Sequence, residues 1–221
     1  MHHDTSLTQN NLTQVNKVLG NADHNVQLLA VSKGQNIDKI MVTYGLGIRN
    51  FGENYLQEAI PKIATIPQDA IWHFIGKIQK NKLKLITKYF HWIESVTDLT
   101  IAKKINSYSK EFNKHTNLLL QLSHSSSRDG FKEEEIIDAA TELNSLNFIH
   151  IKGIMVMPEP NLAIDDLENQ FTNAYNIYIK LKKIPSVTCL SMGMSSDFLT
   201  AVNHGSNQVR LGTILYGARV K

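Results

Sequence analysis

The sequence predicts a single (β/α)₈ barrel, and two observations carry that expectation. Eight short apolar runs of β type can be counted along the chain, and amphipathic helical stretches separate them almost from end to end. Five of the runs read as largely apolar, as strands buried on both faces do, which favours a closed parallel barrel over an open doubly wound sheet. At 221 residues the chain suffices for one such barrel and would be cramped as two domains, so residues 1–221 are read as one unit.

An extra N-terminal helix comes first, marked by Leu12, Val15, Val18 and Leu19 and ended by Gly20. Strands are expected near Leu28 to Ser32, Asn50 to Gly52, Ile71 to Ile75, Trp92 to Val96, Leu118 to Leu122, Ile149 to Met155, Val187 to Leu190 and Gln208 to Leu211. Gly45 and Gly47 can end the first crossover helix. Asp98 is a good N-cap for a helix whose Ile101, Ala102, Ile105, Tyr108 and Phe112 recur at three- and four-residue spacing. A second stripe runs through Leu167, Phe171, Ala174, Tyr175, Tyr178 and Leu181, and both stripes are expected to face the core. Ser126 to Gly130 reads as the polar loop after the fifth strand.

Composition excludes more than it assigns. Hydrophobic residues make up 42% and charged residues 19%, as in an ordinary globular protein. The net charge of +3 comes from scattered lysines, and the one cluster, Lys77, Lys80, Lys82, Lys84 and Lys88, reads as a solvated helix face, so no nucleic-acid partner is expected. Cys189 is the only cysteine; it sits in an apolar run, reads as an inert buried thiol, and permits no intrachain disulfide. The first ten residues are polar, and no run approaches the roughly 20 apolar residues of a membrane span, so the expected setting is the cytoplasm, away from membranes.

In such a barrel, chemistry gathers at the carboxyl ends of the strands. Lys33 follows the first run, Glu53 and Asn54 the second, Gly193 to Ser195 the seventh, and Gly212 and Thr213 the eighth, while His73 lies within the third and reads as a supporting residue. A lysine at a partly desolvated barrel mouth can lose its proton and attack a carbonyl, which arginine cannot. The turns after strands seven and eight are where barrels commonly hold a phosphate, with glycines admitting the anion and the hydroxyls of Ser195 and Thr213 able to donate to it. No metal-ligand spacing, Gly-x-Ser-x-Gly or Walker-type sequence is present.

Several blocks resemble the pyridoxal phosphate homeostasis proteins, which are related to the N-terminal barrel domain of alanine racemase. They are Leu29-Ala30-Val31-Ser32-Lys33, Phe51-Gly52-Glu53-Asn54-Tyr55 with Gln57-Glu58, Trp72-His73-Phe74-Ile75-Gly76, Gln79 with Asn81-Lys82, and Gly153 with Met155. Leu190-Ser191-Met192-Gly193-Met194-Ser195 and Val209-Arg210-Leu211-Gly212-Thr213 with Gly217-Ala218-Arg219 complete the set, which spans the chain from Leu28 to its end. The resemblance implies pyridoxal 5′-phosphate bound covalently through a Schiff base on Lys33. Arg210 would face the pyridine nitrogen, Asn54 would lie near the ring, and Ser195, Gly212 and Thr213 would hold the phosphate. An arginine at that nitrogen keeps it unprotonated and makes the ring a weak electron sink.

The chain ends at Lys221 with no counterpart of the racemase's C-terminal β-domain, which supplies a tyrosine base and the dimer. The resemblance therefore implies a monomeric carrier that buffers and delivers the cofactor, with PLP-dependent apoenzymes as partners and without catalytic turnover. The alternatives are a weak racemase or lyase on the same cofactor and, more distantly, a Schiff-base aldolase. Ser123 to Gly130 departs from the family's pattern of a glutamate and a lysine, although Arg128 retains a positive charge.

Overall fold

The computed structural model describes residues 2–124 and 129–217. After α1 (His2–Leu19), strands and helices alternate as β1 (Gln27–Val31), α2 (Ile37–Gly45), β2 (Asn50–Glu53), α3 (Leu56–Thr65), β3 (Ile71–Phe74), α4 (Leu83–Tyr89), β4 (Trp92–Val96) and α5 (Leu99–Glu111). The second half runs β5 (Thr116–Leu122), α6 (Glu133–Leu143), β6 (Ile149–Val156), α7 (Ile164–Leu181), β7 (Cys189–Ser191), α8 (Phe198–Asn203), β8 (Gln208–Leu211) and α9 (Thr213–Tyr216). All pairings are parallel, neighbours in sequence pair with one another, and β1 closes onto β8 with Leu29 opposite Arg210. This is the (β/α)₈ barrel, with the N-terminal helix packed outside it and tied to α9 by Asn11 Nδ2 donating to Leu215 O at 3.2 Å.

Local sequence explains the element ends. Asp98 accepts the N–H of Ile101 at 2.8 Å and Asn36 that of Lys39 at 2.9 Å, so each caps its helix through a side-chain oxygen. Gly45 is the last residue of α2, and Gly47, at φ +96, makes the left-handed turn beyond it. Several expected boundaries shift by a residue or two. Ser32 lies just past β1, Glu53 belongs to β2, and β7 is Cys189–Ser191, with Val187 outside it but still buried against the core. Tyr175, read as core-facing, is 39% exposed, because it sits at the edge of its helix's apolar stripe. Of the loop from Ser126 to Gly130 only Asp129 and Gly130 fall within the described residues, and Arg128, Ala218 and Arg219 lie outside them.

Strand alternation divides the side chains into two sets. Leu28, Ala30, Phe51, Trp72, Phe74, Ile93, Leu118 and Leu120 face outward and join the helices in the main core. Inside the barrel, Leu29, Val31 and Ile75 form one small apolar cluster and Leu119, Met155 and Cys189 another. Polar side chains from β3, β4, β7 and β8 fill the space between them, and they support the site above.

Candidate functional site

The residues singled out by sequence converge on one cavity. Lys33, Asn54, Ser195, Arg210, Gly212 and Thr213 all line a space of about 540 Å³ at the carboxyl ends of the strands, together with Gln35, Ile75, Met157 and Met194. Its volume is that of a small-molecule site. Two of its described lining residues are cationic, Lys33 and Arg210, and none is acidic, so the cavity favours an anion.

The turns after β7 and β8 form one wall. Ser195 Oγ accepts the N–H of Ile214 at 3.3 Å, which joins the two turns directly. Asp197 accepts the N–H of Met194 at 2.6 Å and shapes the first turn from below. Gly193 stands at φ +97 and its carbonyl accepts the N–H of Arg210 at 2.9 Å, so this glycine both permits the turn and ties it to β8.

The opposite wall depends on close packing of β2 against β3. A Cβ on Gly76 would collide with the backbone of Asn54, so only glycine lets the two strand ends approach this far. Asn54 Oδ1 is buried and has no hydrogen-bond partner among the described residues, which marks it as an atom awaiting a ligand donor.

Arg210 is 4% exposed and is fixed from beneath. Its guanidinium donates to Ser191 O at 2.8 Å, to Ser191 Oγ at 2.8 Å and to Val156 O at 2.7 Å. Ser191 Oγ in turn donates to Glu94 Oε2 at 2.9 Å, and Glu94 Oε1 accepts from His73 Nδ1 at 2.7 Å and Gln208 Nε2 at 2.8 Å. Since β4 does not neighbour β7 or β8, these bonds cross the barrel interior. His73 stacks on Trp92 with ring centroids 5.1 Å apart and meets Asn50 Oδ1 through Nε2 at 3.1 Å. It therefore supports the site through Glu94 and does not line the cavity.

Electrostatics follow from that network. Burial alone would raise the Glu94 carboxyl, but the His73 hydrogen bond and charge, with Arg210 and Gln208, outweigh it and hold the group below the ordinary range. Burial lowers the Arg210 guanidinium, opposed by the charges of Glu94 and Asp197, and arginine stays protonated at neutral pH. Burial pushes the Cys189 thiol well above its usual value, consistent with an inert side chain.

Sequence reasoning missed Glu94 and Gln208, polar residues that the expected strands carry into the interior. It also missed the size of the barrel mouth. A neighbouring cavity of about 940 Å³ shares Ile75, Met157, Met194 and Ser196 with the first and runs to the Lys77–Asp129 ion pair at its rim.

A parallel eight-stranded barrel with a cationic, carboxylate-free cavity over β1, β2, β7 and β8 defines a class, and comparison with known proteins places it. Residues 4–220 match the family model described as alanine racemase, N-terminal domain. A "Pyridoxal phosphate homeostasis protein" of Pasteurella multocida is 36% identical over 202 residues, 88% of this chain and 87% of that one. Another of that name, from Haemophilus influenzae, is 33% identical over 227 residues, 99% of this chain and 96% of that one. The solved structure of PipY from Synechococcus elongatus with PLP bound superposes with a TM-score of 0.86 at 32% identity, covering 95% of this chain and all of that one. Alanine racemase of Clostridium difficile, 18% identical with a TM-score of 0.81, shares the fold over 57% of its length. The chain belongs to the alanine racemase N-terminal-domain family and, within it, to the pyridoxal phosphate homeostasis proteins.

Proposed function

We propose that this protein binds pyridoxal 5′-phosphate covalently on Lys33 and serves intracellular homeostasis and delivery of that cofactor as a monomer, without catalytic turnover. One observation carries the reading: the candidate amine, the buried guanidinium and the hydroxyl-bearing turns share a single cavity sized for one small molecule. The relatives' names and the PLP-bound PipY structure support the same ligand.

The cofactor supplies an aldehyde that condenses with an amine, whose two nitrogen protons depart with the carbonyl oxygen as water. The chain's residues then divide the work. Ser195, Gly212 and Thr213 would hold the phosphate, with their hydroxyls and backbone N–H groups as donors. Arg210, held by Ser191 and Val156, presents a fixed positive charge that disfavours a proton on the pyridine nitrogen. Asn54 offers its unpartnered oxygen at the ring's edge. Lys33 follows the end of β1 and lines the same cavity as Arg210, and its amine would be the nucleophile.

An arginine opposite the pyridine nitrogen would weaken the ring as an electron sink, which supports the reading without turnover. The larger adjoining cavity gives an acceptor amine from a PLP-dependent apoenzyme a route to the cofactor. No helix among the described residues is long and apolar enough to cross a membrane.

The test is an absorbance spectrum of the protein incubated with the cofactor and freed of unbound cofactor by gel filtration, before and after borohydride. A visible band that reduction abolishes, absent from Lys33→Ala, is expected. A colourless protein, or a band unaffected by Lys33→Ala, would refute attachment at Lys33, and α-carbon deuterium exchange above the free-cofactor rate would refute a non-catalytic role.

A further inference from the structure

Behind Lys33 lies a buried charge cluster that belongs to no wall of the cavity. Lys62, on α3 and with 5% of its side chain exposed, donates through Nζ to Glu53 Oε1 at 2.7 Å, to Glu58 Oε1 at 2.5 Å and to the carbonyl of Ser32 at 2.8 Å. Ser32 Oγ donates to the same Glu53 oxygen at 2.7 Å. On the other side of Lys33, the N–H of Gly34 donates to Glu58 Oε1 at 2.5 Å. Gln35 N also returns to Ser32 O at 3.0 Å, closing a turn in which Gly34 stands at φ +72. Both sequence neighbours of Lys33 are thus tied to one ammonium and its two carboxylates.

Stability alone accounts poorly for this arrangement. Burial raises the Glu53 carboxyl against the opposing pull of Lys62 and Ser32, and Glu53 Oε2 is buried without a partner among the described residues. Well-packed apolar side chains of similar volume commonly serve a fold as well as a buried ion pair. Apolar side chains cannot, however, hold a carbonyl on one side of a lysine and an N–H on the other.

We propose that Lys62, acting with Glu53 and Glu58, is a positioning residue for Lys33, fixing the backbone from Ser32 to Gly34 and hence the point from which the Lys33 amine enters the cavity. This rests on the reading of Lys33 as the attachment point. Misplacing a reacting group by about 1 Å costs on the order of a hundredfold in rate, so a fixed backbone has a kinetic consequence distinct from binding.

Pyridoxine 5′-phosphate, which carries a hydroxymethyl group in place of the aldehyde, reports binding alone, whereas stopped-flow mixing with pyridoxal 5′-phosphate reports attachment. In Lys62→Met, attachment is expected to slow by about tenfold or more while the affinity for pyridoxine 5′-phosphate stays within about twofold. Lys62→Arg should recover part of the rate. Because Lys62→Met strands Glu53 and can fail to fold, the Glu53→Gln/Lys62→Met pair, which removes both buried charges together, carries the same expectation. Glu58→Ala, at a partly exposed site, should speed hydrogen exchange at the Gly34 amide in the protein without cofactor. Equal losses of attachment and affinity, an unchanged attachment rate, or unchanged exchange at Gly34 would each overturn the proposal. Peptide mapping of the borohydride-treated wild-type protein separates the two readings: an adduct away from Lys33 refutes the attachment point itself, whatever the exchange result.

Discussion

Replacing Glu94 by alanine should destabilise the barrel strongly and selectively through its interior network. Glu94 is fully buried and accepts from His73, Gln208 and Ser191, while Ser191 Oγ also receives Arg210. The substitution removes the Glu94 charge that acts on the buried Arg210 guanidinium, leaves His73 Nδ1 and Ser191 Oγ without their acceptor, and leaves Gln208 Nε2 only its bond to Ser191 Oγ. Removing one partner from such a buried charged set costs about 3–5 kcal/mol. At about 2–4 °C per kcal/mol for a chain of this size, a loss near 4 kcal/mol lowers Tm by about 8–16 °C. Calorimetry at neutral pH reads this directly, and Glu94→Gln, which keeps the shape and one acceptor oxygen, should fall between Glu94→Ala and wild type. The pH dependence has a definite sign. Because the Glu94 carboxyl is held below its ordinary value of 4.5, its contribution is present above that pH and is lost as pH falls through the lower folded-state value. Wild type should therefore lose stability more steeply than Glu94→Gln on acidification below about pH 4.5. A Tm change of under about 2 °C in Glu94→Ala would refute the network as described.

Gly76→Ala should lower both Tm and cofactor affinity, since its Cβ would occupy the backbone of Asn54, and overpacking of this kind costs about 1–3 kcal/mol or more; differential scanning fluorimetry with and without cofactor checks it. Ser195→Ala should weaken cofactor binding about tenfold by removing one hydroxyl, a loss of about 1.4 kcal/mol measured by titration calorimetry, with little change in fold. Lys114, whose Nζ donates to the carbonyls of Thr87 and Phe90 at 3.0 and 2.7 Å, is lowered by burial to about 8, so NMR of ¹³C-dimethylated protein should show the Lys114 signal titrating there; its burial cost is present below that pH and relieved as pH rises toward 10.5.

Barrel and cavity were legible in the sequence for different reasons. Leu118 to Leu122 announced itself because a strand covered on both faces needs apolar side chains at nearly every position. Lys33, Asn54, Ser195 and Thr213 were legible because a barrel delivers strand ends to one rim, so position along the chain became position in space. The interior network was not, since Glu94, His73, Ser191 and Gln208 come from four strands and meet only once the barrel has closed. Lys62 offered a fainter signal: it shares its helix face with the buried Leu56 and Ala59, where a charge demands a partner that sequence spacing alone could not supply beyond Glu58. Tyr175 shows the reverse limit, for periodicity assigns a face without locating its edge.

A crystal structure of the protein soaked with pyridoxal 5′-phosphate tests the central claim most directly. Continuous density from Lys33 Nζ to the ring, with the phosphate against Ser195, Gly212 and Thr213 and the pyridine nitrogen at Arg210, is the expected result. Density that leaves Lys33 separate, or that seats the phosphate in the neighbouring cavity beside Lys77, would contradict it.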